Sequence, residues 1–302
     1  MKKIGISCGK IVRKYGYEKA FELCKSSGFD AVDFDLALWG KRMNSSDIYS
    51  ASADEFEAYF TEMREKAESL ELMISQTHGR CTTYTSDEKQ CEYARWACEK
   101  DLYATKLLGA ESCVIHSIKS GDWPEKYLDG EFMHRKNKEF FDCLIPAAEK
   151  HEVNIALETF GRAKIYGDKN HADFFAHVKE LKKQLELLDT KYKTICVDTG
   201  HTNEAVIFGV PGPAEVIRTL GSDVTLLHLH DNNGYADQHL PPVSGRGTVN
   251  WGEVFDALDE VGYRGVYNFE IELGRYGDVL ADAVCFLGKW LRHFVDVRGD
   301  MK

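Results

Sequence analysis

The 302-residue chain carries 38 Lys and Arg against 49 Asp and Glu, a net charge of −11, with 43% apolar and 29% charged residues. That is an ordinary globular composition, and its acidity argues against a phosphate backbone as the main partner, since nucleic-acid binding usually relies on clustered Lys and Arg. No apolar run approaches the ~20 residues of a membrane span, and the nine cysteines contain no C-x-x-C pair, which excludes a disulfide framework and a zinc knuckle.

In chain order, the β-branched apolar runs Lys3–Ser7, Ala31–Asp35, Leu72–Thr77, Ser112–Ser117, Asn154–Thr159, Thr194–Thr199, Val224–His230 and Val266–Ile271 are predicted strands. Between them, apolar residues recur at helical spacing over Tyr17–Ser27, Ala53–Leu70, Asp87–Leu108, Glu131–Lys150, His171–Leu187 and Asp278–His293. Gly28, Gly109, Gly221 and Gly262 stand just before strands, where a helix C-terminus calls for a residue tolerant of positive φ. Asn250 and Glu253 form a capping-box-like pair at the start of a seventh helix. Eight strand–helix alternations without a Pro-, Gly- or Ser-rich linker predict an α/β fold, a single (β/α)8 TIM barrel over residues 1–302. The polar and aromatic segment after strand two, about residues 36–52, is longer than an ordinary βα loop and is either a lid or a decorative loop. Lys10, Arg13 and Lys14 break the N-terminal apolar stretch far short of a signal sequence, so the expected compartment is the cytoplasm.

In such a barrel the C-terminal strand ends converge on one mouth. The strands end in His78, His116, Glu158, Asp198, His230 and Glu270, with His201 one turn beyond Asp198, and Asp237 and His239 in the loop after strand seven. Glu158 follows Ile-Ala-Leu, Asp198 follows Val197 and Glu270 follows Phe269, so each carboxylate emerges from an apolar strand, where burial is costly without a cation. A divalent metal explains the cluster most simply, and mixed imidazole and carboxylate donors suit transition metals better than Ca. His228 is expected to be a packed, hydrogen-bonded support, Trp251 an anchor for its loop, Trp39 a ring that could stack on a sugar, and most of the cysteines reduced, packed thiols.

Glu158 at the end of strand five, Asp198-x-x-His201, His228-x-His230 followed by Asp231-Asn232, the Asp237-x-His239-Leu-Pro-Pro…Gly245-x-Gly247…Trp251 loop and Glu270 on strand eight together resemble the xylose-isomerase-like barrel superfamily. This superfamily includes sugar phosphate isomerases, ketose 3-epimerases and the endonuclease IV family. The resemblance implies a divalent metal (Zn, Mn, Mg or Co) on Glu158, Asp198, His230 and Glu270. Glu158 and Glu270 then act as proton acceptor and donor, and His201 and Arg246 touch the substrate. The endonuclease IV pattern implies further metals, one on His78, His116 and Glu158 and another on His201, Asp237 and His239, although Gly79-Arg80-Cys81 lacks the aromatic of the DNA-intruding position.

The expected function is a metal-dependent isomerase or epimerase acting on a sugar, sugar phosphate or cyclitol through an enediolate. The alternatives are a metal-dependent phosphoesterase with a multinuclear cluster, and a non-catalytic barrel. The expected partner is a small-molecule sugar or sugar phosphate rather than nucleic acid or membrane, with a homo-oligomer suggested only by analogy.

Overall fold

The computed structural model describes residues 2–39, 47–81, 84–164 and 169–299. Its first five strands are β1 (Ile4–Ser7), β2 (Ala31–Asp35), β3 (Met73–His78), β4 (Ser112–Ile115) and β5 (Asn154–Glu158). A short antiparallel ribbon, β6 (Arg162–Lys164) with β7 (Asn170–Ala172), follows, and then β8 (Lys193–Asp198), β9 (Val224–His228) and β10 (Tyr267–Phe269). The eight long-range strands are parallel, in the order β10-β1-β2-β3-β4-β5-β8-β9. The Leu229 amide donating to Asn268 O (2.8 Å) and the Glu270 amide donating to Leu229 O (3.1 Å) join the two ends, so the sheet closes into the expected barrel.

The helices α1 (Gly9–Tyr15), α2 (Tyr17–Ser26), α3 (Ala53–Ser69), α4 (Glu88–Leu107), α5 (Gly130–His151), α6 (Val178–Leu187), α7 (Thr199–Ala205), α8 (Pro213–Leu220), α9 (Trp251–Glu260) and α10 (Leu280–Asp296) pack around the strands. Helix ends follow local chemistry. Ser52 and Glu55 close a full capping box on α3, while at α9 the Asn250 side chain accepts the Glu253 amide (3.4 Å) and the Glu253 carboxylate turns to Arg218 (3.3 Å). Gly28 and Gly109 leave their helices at φ 92° and 77°, values that a side chain would strain.

Two local readings change. The predicted helix His171–Leu187 begins as strand β7 and turns at Asp173, whose carboxylate takes the Ser120 amide and hydroxyl and the Phe175 amide before α6 starts at Val178. The short helices α1, α7 and α8 are too brief for apolar periodicity to reveal. Residues 40–46 of the long segment after β2 lie outside the described residues; its flanks are single 3-10 turns at Leu36–Leu38 and Ile48–Ser50. No helix among the described residues is long and apolar enough to cross a membrane.

Inside the barrel, Val114, Ala156, Cys196 and Leu226 form a small apolar layer. Side chains alternate along a strand, so the residue two positions onward points inward again, nearer the mouth. Those residues are His116, Glu158, Asp198 and His228.

Candidate active site

The strand alternation therefore delivers two imidazoles and two carboxylates at one level, and the parallel register of β8 and β9 places Asp198 beside His228. Glu158 is fully buried. Its Oε2 lies 2.6 Å from His116 Nε2 and its Oε1 2.8 Å from His228 Nδ1, and the same His228 nitrogen is 3.1 Å from Glu270 Oε2. His201 Nδ1 lies 3.7 Å from Glu158 and 3.8 Å from Asp198. On the outer side, Asp237 bridges His201 Nε2 (3.6 Å) and His239 Nε2 (3.1 Å). Donor atoms of His78, Glu158, His228 and Glu270 fall within 4.8 Å of one another, as do those of His201, Asp237 and His239 and those of Glu158, Asp198 and His201.

His230 takes a different place from the one expected for it. Its Nε2 approaches Asp198 at 3.0 Å and its ring stacks on His239 at 3.9 Å, and among the described residues its carboxylate neighbours are Asp198 and Asp237, not Glu158 or Glu270. The reason is the level along β9: His228 is two residues beyond Leu226, whereas His230 lies past the end of the strand. Gly200 makes room for it, since a Cβ there would stand 1.9 Å from His230 Cε1. Trp39 does not face the cluster; its ring stacks on Phe34 (5.6 Å) and meets Tyr59 and Phe60 edge-on. Arg246 is exposed, with no hydrogen bond or ion pair seen among the described residues. Trp251 anchors its loop as expected, its Nε1 donating to Asp231 Oδ2 at 2.9 Å.

Each imidazole of the cluster is gripped on one nitrogen by an outer group. His78 Nδ1 pairs with Gly79 O (2.6 Å), His201 Nδ1 with Thr159 O (2.9 Å), His239 Nδ1 with Glu270 O (2.9 Å), His228 Nε2 with Asp33 Oδ2 (3.1 Å) and His116 Nδ1 with Cys81 Sγ (3.1 Å). Of these five, all but His78 turn the other nitrogen toward a cluster carboxylate. Metal-binding histidines are held in this way, by a second partner that fixes tautomer and ring orientation. Without a cation the cluster balances its charge with protons. Burial works against the charged form of Glu158, yet His116 and His228 hold its carboxyl well below the usual range. Burial likewise opposes a charged His116, but Cys81 and Glu158 raise it to about 9, and on the exposed Cys81 the neighbouring His116 lowers the thiol to about 6.

The donor set fits a transition metal. Glu158 Oε2 is buried without a geometrically sound hydrogen bond although His116 Nε2 is 2.6 Å away, the orientation expected when both aim at a shared cation rather than at each other. Beside the cluster a cavity of about 320 Å³ is lined by Lys10, Asp35, His78, His239 and Glu270, large enough for a small polar molecule. A larger cavity of about 690 Å³ opens at the opposite end of the barrel against Lys2, Met73 and Arg264, away from these groups. Asp33, Cys81 and Asp35 are additions to the sequence reading. The cost of a buried carboxylate within an apolar strand, applied to Glu158, would have singled out Asp33 as well.

Comparison with known proteins agrees with this architecture. A stretch of 128 residues, 42% of this chain, is 40% identical to an uncharacterized protein of Methanocaldococcus jannaschii, and 169 residues are 26% identical to one of Sinorhizobium fredii; the matches span 40% and 50% of those relatives. Among solved structures, a D-tagatose 3-epimerase-like protein superposes with a TM-score of 0.70 over 99% of both chains at 22% identity. The IolI protein with a binding zinc atom gives 0.70 at 16% identity, over 100% of this chain and 99% of that one. The 3-keto-D-glucoside 4-epimerase YcjR of E. coli gives 0.69, also at 16%, over 97% and 99%. Identities this low establish the fold alone. Residues 21–287 match the xylose isomerase-like TIM barrel family, and the chain belongs to it.

Proposed function

We propose that the protein is a metal-dependent isomerase or epimerase of a small sugar or related polyhydroxylated carbonyl compound. The observation that carries this reading is the approach of two carboxylates, Glu158 and Glu270, to the one His228 nitrogen at the mouth of the barrel. The solved structures similar in fold support the substrate class, since they include a D-tagatose 3-epimerase-like protein and a 3-keto-D-glucoside 4-epimerase. A divalent cation bound by Glu158, Asp198, His228 and Glu270 would polarise the substrate carbonyl and acidify the neighbouring C–H.

The protein groups divide the remaining work. Glu158 is enclosed between His116 and His228, whereas Glu270 lines the cavity with its side chain about one-fifth exposed. Glu270 is thus the carboxylate open to a proton on the cavity side, with Glu158 its counterpart at the floor. Asp35 and Lys10, which line the same cavity, offer an acceptor and a donor for hydroxyl groups. The test is solvent deuterium incorporation into a sugar carbon across a panel of ketoses with zinc, manganese or cobalt supplied. Glu158→Gln and Glu270→Gln should each slow exchange by roughly 10²- to 10⁴-fold, the usual contribution of a positioned acid or base. Exchange undiminished in both variants would overturn the reading.

The outer group His201, Asp237 and His239 favours a second reading, a metal-dependent phosphoesterase in which adjacent cations clamp the attacking and leaving oxygens. Its signature would be hydrolysis of a small phosphoester or an abasic duplex by the zinc-loaded protein. The net charge of −11 weighs against the duplex.

A further inference from the structure

Asp33 lies in the middle of β2, fully buried, one level below the cluster. Four side chains from four other strands converge on its Oδ2: Ser7 Oγ of β1 at 3.1 Å, Gln76 Nε2 of β3 at 3.3 Å, His228 Nε2 of β9 at 3.1 Å and Asn268 Nδ2 of β10 at 3.2 Å. Its Oδ1 has no hydrogen-bond partner and is itself buried. A carboxylate in that position costs free energy to bury unless charge-assisted bonds offset the loss of water. Four donors on one oxygen place the negative charge at one point, directly against the His228 ring nitrogen that faces away from Glu158 and Glu270.

We propose that Asp33 is a positioning residue of the metal centre: it holds the His228 Nε2–H, commits Nδ1 to the cation, and so makes His228 rather than His230 the ligand supplied by β9. This rests on the metal-dependent reading above. An imidazole can present either nitrogen, and the one used is set by the bond the other makes. For His228 that bond is to a carboxylate, whereas His78, His201 and His239 are held by backbone carbonyls. A carboxylate acceptor also increases the electron density of the ring and strengthens the ligand. His230 is placed the other way round: its Nε2 already meets the cluster carboxylate Asp198 at 3.0 Å, and its Nδ1 has only Asp231 O at 3.5 Å behind it.

The test compares zinc affinity of the full-length wild type and Asp33→Asn by competition with a chromogenic chelator, beside the unfolding temperature of both metal-free proteins. Asp33→Asn is expected to bind zinc roughly 10- to 100-fold more weakly, the usual effect of losing such a partner. Cobalt-loaded samples report the same change through their visible bands, which follow ligand geometry and which a purely structural role for Asp33 would leave unmoved. Wild type that binds zinc together with an Asp33→Asn variant of equal affinity would overturn this inference and leave the metal reading standing; wild type that binds no zinc would overturn both. Should Asp33→Asn fail to fold, proton–nitrogen correlation of histidine-labelled, zinc-loaded wild type decides the matter. An Nε2–H on His228 with Nδ1 on the metal is expected, and zinc found on Nε2 would refute the assignment.

Discussion

At Gly200 a single missing carbon decides where His230 sits. The residue is in the first turn of α7, and a Cβ there would come within 1.9 Å of Cε1 and 2.3 Å of Nδ1 of the imidazole. Since the ring is buried and stacked on His239, it has no free direction in which to retreat. Gly200→Ala should therefore push His230 off Asp198 and cost about 1–3 kcal/mol, as overpacking of a dense interior usually does. Urea denaturation of the metal-free protein measures that cost, and an unchanged midpoint would show that the ring relocates freely. Gly247 has the same function one loop away, where a Cβ would meet the Asp231 carboxylate at 2.1 Å. That carboxylate also accepts the Thr248 and Val249 amides and Trp251 Nε1, and so fixes the loop that carries Asp237 and His239.

Among the elements, the described flanks of the β2–α3 connection, Trp39 and Tyr49, meet a buried ion pair. Arg80, two residues past β3, sets Nη2 2.7 Å from Asp101 Oδ1 of α4, donates through Nη1 to Trp39 O (2.9 Å), and lies with its guanidinium 4.8 Å from the Tyr49 ring, whose hydroxyl also donates to Asp101 (2.7 Å). Asp101 is fully buried and Arg80 is 5% exposed, so removing one partner leaves a charge without compensation. Asp101→Ala should cost about 3–5 kcal/mol, read as a lowered denaturation midpoint; a loss below about 1 kcal/mol, the scale of a surface pair, would show that water enters the site. At this level the sequence was informative for the strands, each found within two residues of its predicted limits, because β-branched runs are a strong local signal. It was uninformative for the β6–β7 ribbon, whose three-residue strands are paired across a loop and carry no periodicity of their own. The candidate site followed the same division. Val114-Ile115-His116, Ala156-Leu157-Glu158, Cys196-Val197-Asp198 and Leu226-Leu227-His228 share one spacing from a common apolar layer, a pattern legible in the sequence. The family resemblance named His230 on this strand, and the structure sets that residue past the end of β9, which no local signal in the sequence marks.

Over the whole molecule, burial separates the candidate donors into two grades. Glu158, Asp198 and His228 are fully buried in the barrel and are joined by Glu270 at 22% exposure, whereas on the mouth loop Asp237 is 37% exposed beside His239 at 22%. A buried set loses its water once, on folding, and offers a cation a dry, fixed shell; the outer set must be drawn together from a loop. Zinc titration should then show a tight phase and a weaker one, with His239→Ala abolishing the weaker phase and sparing the tight one. A single phase, or loss of both, would contradict the grading. Protons compete for the same nitrogens. With His228 raised well above its ordinary value and His239 raised to about 9 in the metal-free protein, a histidine must give up its proton to bind a cation, so zinc affinity should rise with pH to at least about 9 and fall steadily below it. Stability follows affinity: a ligand bound only by the folded state at a hundred times its Kd adds about 2.7 kcal/mol. The zinc-dependent increase in unfolding temperature should accordingly shrink from pH 8 to pH 6 and vanish when a chelator is present. A zinc increment that is constant across that range would mean that the metal is held by groups other than these histidines.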